Sequence, residues 1–455
     1  MCRLQTFRFI ALLVVSFLAQ PLFAESDDHT QNALVTKGIS DAQVVQTPLS
    51  LEQCIDIALK NNPDIARKRW NTETAMAQES IAQGQLLPQI SAVGGYTQYM
   101  DDRLITPRRS GGQEVLGFAD EVVSGNLVLS VPLYTGGRLK NEVEAAELVT
   151  QSAKHQHRRS RRELVFNVSN VFYAMLGREA VIDSLVFSQM TLDEHRKRVA
   201  ELFDAQKAAR VDLLRTEVRL ADIEQRLLQE RNVLNIQRFL LASLLGLDRQ
   251  NNLFQIEGEL TLADVPVDLD SSFARAFNSR QDYQSLRSQT AAQQKRVNLA
   301  KAGRLPSVSL RASYGNQWSA DSSLSNEAGD VGVFAMIPLF EGGRISARVR
   351  RERSRLMVQK EALRKLGLQI KLELETAVSN IKSTHARIDV TQKASEQAKE
   401  SLRIEREKYD LGKGAIIDVL DAQSALLDSQ TNYYRALADY NTALAQFRLA
   451  VGEIE

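Results

Sequence analysis

Apolar residues recur along this chain with different periods, and the changes of period divide it into elements. Leu51, Ile55, Ala58 and Leu59 fall at helical spacing behind Ser50, a side chain suited to an N-cap. A second helix opens at Pro63 and runs to about Leu87, before Pro88. The period then drops to two. Ile90, Ala92, Gly94 and Tyr96 alternate with polar or small residues, and Leu127, Leu129, Val131 and Leu133 do the same. These predict strands at about 89–99 and 122–134, joined by a loop over Tyr99 to Glu121 that is rich in proline, glycine and mixed charge. The pattern returns later. Val308, Leu310, Ala312 and Tyr314 share one face, and Val331, Val333, Ala335, Ile337 and Leu339 another, predicting strands at about 306–318 and 330–340.

Each strand pair runs into a long helix. Residues 138–203 and 344–409 hold no proline, and at 1.5 Å per residue each would reach roughly 100 Å. Shorter helices return over 211–247 and 415–450. Each returning helix is expected to stack end to end with a short helix of the other half, Val211 to Leu247 with Asp282 to Gly303 and Ala415 to Ala450 with Asp64 to Leu87. Either stack would then nearly match a continuous helix, which suits a cylinder of uniform height. Gly246, Gly258 and Pro266 break the pattern over 248–280, read as an equatorial connector with a short helix at Ser272 to Asn278.

The two halves are copies. Val211-Asp212-Leu213-Leu214 lies under Ile417-Asp418-Val419-Leu420 at an offset of 206 residues. Leu213, Leu220, Leu227, Leu234 and Leu241 recur every seven residues, and the same offset carries them onto Val419, Leu426, Tyr433, Tyr440 and Phe447. Pro132-Leu133-Tyr134-Thr135-Gly136-Gly137-Arg138 falls on Pro338-Leu339-Phe340-Glu341-Gly342-Gly343-Arg344. So long an offset marks a duplicated unit, residues 49–247 and 281–455, and the seven-residue repeat marks coiled-coil packing. Glycines at the junctions supply the backbone freedom to turn from sheet to helix.

Composition narrows the class. The chain has 455 residues, 25% of them charged, and a net charge of +1, which argues against a nucleic-acid binder. The basic run His157-Arg158-Arg159-Ser160-Arg161-Arg162 is local and reads as a solvated helix face. Residues 1–24 read as a secretory signal, with Arg3 and Arg8 ahead of an apolar core and a cut after Ala24; 25–48 is a polar, flexible leader. Only Cys2 and Cys54 occur, and Cys2 leaves with the signal, so the mature chain has no internal disulfide. No cysteine follows the cut, so no N-terminal lipid anchor is expected.

The strands fit two architectures. Strands of about ten residues, apolar on one face and polar on the other, suit a transmembrane barrel, and equally a soluble hairpin packed on a core. Four strands cannot close a barrel alone, so a spanning sheet requires several chains. The competing class is a soluble periplasmic coiled coil with a structural or interaction role. Nothing points to an enzyme. The chain lacks a Gly-Lys-Ser/Thr phosphate loop, a His-Glu-x-x-His pair and a Gly-x-Ser-x-Gly turn. His155 and His157 lie two apart, a poor metal pair on a helix. No cofactor or metal is called for.

Between the second long helix and its return stands Tyr409-Asp410-Leu411-Gly412-Lys413-Gly414-Ala415-Ile416-Ile417-Asp418-Val419-Leu420-Asp421-Ala422-Gln423, a helical hairpin tip. Asp418 and Asp421 share a helix face in the first turns, where carboxylates complement the helix dipole.

This tip, the two Pro-Leu-aromatic-x-Gly-Gly-Arg junctions, the strand entries Leu87-Pro88 and Leu305-Pro306, and the duplicated layout together resemble the TolC-like outer-membrane efflux duct family, from about Leu49 to Gly452. The resemblance implies a mainly α fold with a small β part. Three chains would give four strands each to a twelve-stranded outer-membrane barrel, continued by a long periplasmic α-helical barrel of coiled coils. It implies a homotrimer in outer-membrane lipid that works with a periplasmic adaptor and an inner-membrane pump, in efflux or type I secretion. It implies that Asp418 and Asp421 ring a periplasmic constriction, and that Tyr409 and Asp212 tether the closed entrance. Lys207, Gly412, Lys413 and Gly414 sit at the hairpin tips, where an adaptor would touch. The chain departs from the best-known member at Gly414, where that protein has arginine, and Ala205-Gln206-Lys207 lacks the family's usual glycine. Gly136, Gly137, Gly342 and Gly343 mark the junctions, with Arg138 and Arg344 near lipid headgroups; Tyr96, Tyr99, Phe118, Tyr134, Trp318 and Phe340 are candidates for interfacial girdles.

Overall fold

A computed structural model describes residues 48–110, 113–247, 255–262, 268–319 and 325–453, so the signal and nearly all of the leader expected from the sequence lie outside the described residues. Helix α1 (Leu51–Asn61) begins with a reciprocal cap between Ser50 and Gln53. Helix α2 (Pro63–Gly84) follows, with Pro63 at its first position and the Asn62 side chain accepting from the Asp64 N–H at 2.9 Å. Strands β1 (Gln89–Ser110) and β2 (Gln113–Tyr134) lead to α3 (Arg138–Asp204) and α4 (Arg210–Leu245). Helix α5 (Leu269–Ser279) precedes α6 (Gln281–Ala302), β3 (Ser307–Ser319), β4 (Ser325–Met336), α7 (Arg344–Asp410) and α8 (Ile416–Val451). The copies match closely: α3 and α7 each have 67 residues, α4 and α8 each 36, and α2 and α6 each 22.

The strands form one antiparallel sheet in the order β1-β2-β3-β4. Residues 99–121, expected as a loop, are instead mostly strand: the β1–β2 ladder continues from Arg103↔Ala119 to Ser110↔Gln113 beyond an irregularity after Gln98. Ladder pairing propagated along a hairpin outweighs the local turn composition. Pro107 is accommodated because β1 is an edge strand of the sheet. In the second hairpin β4 starts at Ser325 and stops at Met336, short of the expected 340. Pro338, which cannot donate to a ladder, lies just beyond its end.

The helices make a wall four staves wide. One stave is α2 followed by α4, the next α3, the third α6 followed by α8, and the last α7. Thr72 and Thr150 tie α2 to α3, Gln423 ties α8 to α3 through Ser188, and Gln293 ties α6 to α7 through Glu352. The stacking differs from expectation: each returning helix abuts the short helix of its own half. Asn62, the cap of α2, donates to the Leu244 carbonyl near the end of α4 at 2.9 Å. Arg280, in the cap position of α6, donates to the Ala450 carbonyl near the end of α8 at 3.3 Å. The glycines that end α4 and α8, Gly246 and Gly452, are left-handed at φ 68 and 85, and a Cβ on either would press on Asn61 or on Ser279 and Arg280. That close approach and the positive φ both require glycine.

The seven-residue repeat becomes the seam. Leu227, Leu234 and Leu241 are buried along α4, with Leu213 and Leu220 half-buried above the tip. One core gathers Cys54, Phe172, Met175, Leu241 and Leu245; a second gathers Ile370, Leu374, Tyr440 and Phe447; a third, toward the tips, holds Leu192, Val199, Ile223, Ile416 and Leu420. Cys54 is fully buried, and burial pushes its thiol up to about 11, so it serves as packing. The connector carries α5 and a parallel bridge between Leu49 and Ile256, which fasten the middle of the wall.

Candidate functional site

One face of the sheet is apolar in register. Directly opposed residues of antiparallel strands share a face, so the ladder can be read in rows. Ile90, Leu129, Ala312 and Val331 form one row, and Ala92, Leu127, Tyr314 and Gly329 the next. Tyr96, Val123 and Trp318 form a row nearer the strand tips, with Tyr96 and Trp318 exposed. Tyr134 lies at the helical end of β2, opposite Val308, and is exposed as well. Val123 and Tyr134 are eleven residues apart on β2, about 36 Å along a strand and about 28 Å along the normal at a tilt near 40°. That height matches the apolar band of a membrane barrel, with Tyr96 and Trp318 toward one edge and Tyr134 at the other. Between the rows Asn316 stands opposite Glu327, a polar step in the face, and Trp318 stands opposite Ser325. The other face carries Ser91, Ser124, Ser309, Arg311, Ser313 and Asp330. Of the remaining girdle candidates, Phe118 and Phe340 are exposed, while Tyr99 packs against Ala119 and Val122.

No described helix is long and apolar enough to cross a membrane, and the described residues hold no cluster of metal-ligating side chains. The junction residues sit where sheet becomes helix. Gly136, Gly137, Gly342 and Gly343 are left-handed, at φ 61, 80, 58 and 80. Arg138 donates its backbone N–H to Thr135 and pairs with Glu142 at 3.6 Å; Arg344 does the same with the Glu341 carbonyl and pairs with its carboxylate at 3.4 Å.

At the far end, the two tips share one design. Lys207 N–H donates to the Leu202 carbonyl at 2.7 Å, and Lys413 N–H to the Lys408 carbonyl at 2.9 Å. Both lysine side chains are exposed and unpaired among the described residues. Gly412 is left-handed at φ 70. Gly414 lies against the end of α7: a Cβ there would come within 3.0 Å of Lys408 Cβ and 3.1 Å of the Tyr409 nitrogen. Any side chain at this place would therefore press on the last turn of α7.

Tyr409 lies edge-on to His195, ring centroids 5.4 Å apart. Burial pushes the Tyr409 hydroxyl above its usual range, and the neighbouring charges of Asp212 and Asp410 add to that. Asp212 sits in the first turn of α4, its carboxylate 3.4 Å from the Ala209 N–H it accepts from. Burial lowers the His195 imidazole, Arg406 and Arg198 lower it further, and Asp410 opposes them. Its Nε2 is buried without a hydrogen-bond partner. Sequence reasoning missed His195, because nothing local marks a lone helical histidine.

Asp418 and Asp421 are both exposed at the start of α8. Asp421 reaches Arg219 of α4 at 3.6 Å. Two further contacts continue the series: Arg226 with Asp428 at 3.1 Å, and Arg435 with Glu230 at 3.1 Å. Residues 421, 428 and 435 are seven apart, so one stripe of α8 meets one stripe of α4. Since α3 stands between α4 and α8 in the wall, these rungs cross its face, and that face is concave. Higher up, Arg138 and Glu142 of α3, Ala75 of α2, Arg296 of α6, and Arg348 and Glu352 of α7 line a single recess of about 530 Å³. Only the concave side brings four staves to one recess.

A four-stranded sheet with an apolar band, set on a curved helical wall with a charged inner face, is the architecture of a segment cut from a channel. The family model for outer membrane efflux proteins matches residues 54–247 and 274–453. The chain belongs to the outer membrane efflux protein family. Among its relatives, the outer membrane protein TolC of Vibrio cholerae is 20% identical over 414 residues, covering 89% of this chain and 91% of that protein. The pyoverdine export outer membrane protein OpmQ of Pseudomonas aeruginosa is 24% identical over 408 residues, 84% of this chain and 80% of that protein. Among solved structures, the outer membrane protein VceC of Vibrio cholerae superposes with a TM-score of 0.76 at 19% identity, covering 88% of this chain and 96% of that one. Membership places this efflux protein in the outer membrane, its helices on the periplasmic side.

Proposed function

We propose that this efflux protein is the trimeric exit duct of a tripartite efflux or type I secretion assembly, passing cargo unchanged from a periplasmic adaptor and inner-membrane pump to the exterior. The observation that carries the reading is the open sheet. β1 and β4 are edges, yet the apolar face reaches both, with Ile90 and Tyr96 exposed on β1 and Val331 and Val333 exposed on β4. Unsatisfied strand edges do not persist in lipid, so the sheet must close with other copies. Four strands are too few for a barrel, and three copies supply twelve. The helical wall has the same need: Val358, Leu368, Leu372 and Val390 of α7 and Val218, Leu228 and Ile236 of α4 are exposed on its outermost staves.

In this reading residues 49–247 and 281–455 are the two repeats and 248–280 the equatorial belt. Asp418 and Asp421 face the narrow periplasmic mouth, and Tyr409 and Asp212 belong to its closed state. Lys207, Gly412, Lys413 and Gly414 present the tips to the adaptor. Arg138 and Arg344 sit below the barrel at headgroup height. The test is the oligomer mass and single-channel conductance of the detergent-purified mature protein. A trimer with a small, long-lived conductance is expected; a detergent-independent monomer without conductance overturns the reading.

A further inference from the structure

The concave wall is not uniform in charge. Along its lower and middle parts most cations meet a carboxylate: Arg219 with Asp421, Arg226 with Asp428, Arg178 and Arg435 with Glu230, and Arg387 with Asp439 at 2.6 Å. The upper recess, directly below the strand-to-helix junctions, is different. Five arginines line it, Arg138, Arg296, Arg348, Arg351 and Arg355, against two carboxylates, Glu142 and Glu352. Arg351 and Arg355 share Glu352, at 2.8 and 3.1 Å, and Arg138 takes Glu142. Glu352 is itself buried and receives a further hydrogen bond from Gln293 at 2.8 Å, so its charge is fully spent. Burial raises the Glu352 carboxyl, but Gln293 and the two arginines more than reverse this and hold it ionised. Arg296 and Arg348 are exposed and make no ion pair among the described residues. They come from adjacent staves, α6 and α7, into the same recess.

Guanidinium groups fixed on two rigid helices, beside carboxylates already taken by other arginines, are built to take carboxylate or phosphate oxygens in paired hydrogen bonds. Much of the remaining lining is small, Ala75, Ala82, Ala145, Ala146, Ala300 and Gly303, which leaves room for a bulky ligand beside the charges. We propose that this recess is an anion-binding vestibule of the duct, seated by Arg296 and Arg348, which concentrates solutes carrying phosphate or carboxylate groups just before they enter the barrel. The proposal rests on the duct reading, since it needs the concave face to be the lumen. Closing three walls on one axis would bring three such recesses to one level and raise the local anion concentration further.

The experiment is current block in planar bilayers, with inorganic tripolyphosphate added on the barrel side, so that the probe reaches the vestibule without passing the periplasmic mouth. Wild-type channels are expected to show concentration-dependent block that weakens as potassium chloride rises. The double variant Arg296→Gln/Arg348→Gln should need at least about tenfold more tripolyphosphate for half-block, since losing even one of its two charge-assisted contacts costs that much. Arg296→Lys/Arg348→Lys should fall between, since it keeps the charge and loses the fork. Neither arginine makes an ion pair among the described residues, so oligomer mass should match wild type, and a changed mass would overturn the proposal by making the arginines assembly contacts. Conducting wild-type channels that tripolyphosphate does not block, or block unchanged in the Gln variant, would overturn it while the duct reading stands. Absence of any channel would remove both.

Discussion

Gln206 and Gly412 occupy the same place in the two tips, 206 residues apart, and both are left-handed, at φ 61 and 70. Each follows its long helix in the same cap: Gln206 N–H donates to Phe203 and Gly412 N–H to Tyr409, both at 2.9 Å. The turn geometry has therefore been kept in both copies, while glycine stands in only one.

A side chain in this conformation costs about 1–2 kcal/mol, of which glycine's extra freedom in the unfolded chain takes back part. Gln206→Gly is expected to stabilise the first tip by about 0.5–1 kcal/mol, read as a higher thermal midpoint and slower amide exchange over the tip. Gly412→Gln should do the reverse by a similar amount. A neutral or destabilising Gln206→Gly would mean that the side chain makes a contact that outweighs the backbone strain.

The tips show how the sequence could be legible in outline and silent in detail. Long proline-free helical stretches, the paired glycines at 136–137 and 342–343 and the seven-residue leucines all act locally, and each leaves a local mark. The ladder that carries β1 on to Ser110 is a property of two strands together, which composition over 99–121 conceals. The choice of stacking partner depends on single contacts between distant residues, Asn62 with Leu244 and Arg280 with Ala450. Lengths alone fit either pairing. Asp421 was visible as a helix-face carboxylate, but its pairing with Arg219 brings together residues with no sequence relationship.

Arg280 is the buried fastener of the second stack, 1% exposed. It donates to both oxygens of Asp282, at 3.1 and 2.7 Å, to Glu373 at 2.5 Å and to the Ala450 carbonyl. Burial raises the Asp282 carboxyl, but hydrogen bonds from Arg280 and the charge of Arg159 outweigh it and keep the pair ionised. Arg280→Met removes one member and leaves Asp282 with Arg159 at 3.9 Å. A loss of about 3 kcal/mol is expected, since the charge-assisted hydrogen bonds to Asp282 and Glu373 go and the partly buried Asp282 is left with the longer Arg159 contact. Asn62→Ala, at the equivalent place in the first stack, loses one neutral hydrogen bond and a cap, about 1–2 kcal/mol. Denaturant titration of the two variants checks the order; equal losses would show that Arg280 is solvated in the assembled protein.

The His195–Tyr409 contact makes the tip sensitive to acid. Packing lowers the imidazole below its ordinary 6.5, so a loosened tip binds a proton at a higher pH than a closed one. Closure is then fully stable above about 6.5 and loses stability as pH falls from there toward the lowered value. Amide exchange over 195–212 and 403–416, corrected for its intrinsic pH dependence, should rise between pH 7.5 and 5.5 by more than in the rest of the wall. His195→Phe keeps the ring against Tyr409 and should abolish the extra rise. A rise that survives in His195→Phe would assign the acid response to carboxylates of the tip instead.

The final prediction separates the two aspartates that the sequence treats alike. Asp421 is held by Arg219 at 3.6 Å, while the Asp418 carboxylate makes no ion pair among the described residues. In the proposed mouth, Asp418 is then the main attractor of cations, and Arg219 masks Asp421. Asp418→Asn should weaken block of the channel by a trivalent lanthanide ion applied from the periplasmic side. Arg219→Gln should strengthen it, because it frees Asp421 and removes a positive charge in one change. Exposed pairs of this kind are worth about 0.2–1 kcal/mol, so the half-blocking concentration should move by up to about fivefold in opposite directions for the two variants. If both variants weaken the block, Arg219 positions Asp421 for the ion and does not mask it; if neither moves it, the carboxylates serve the start of α8 alone.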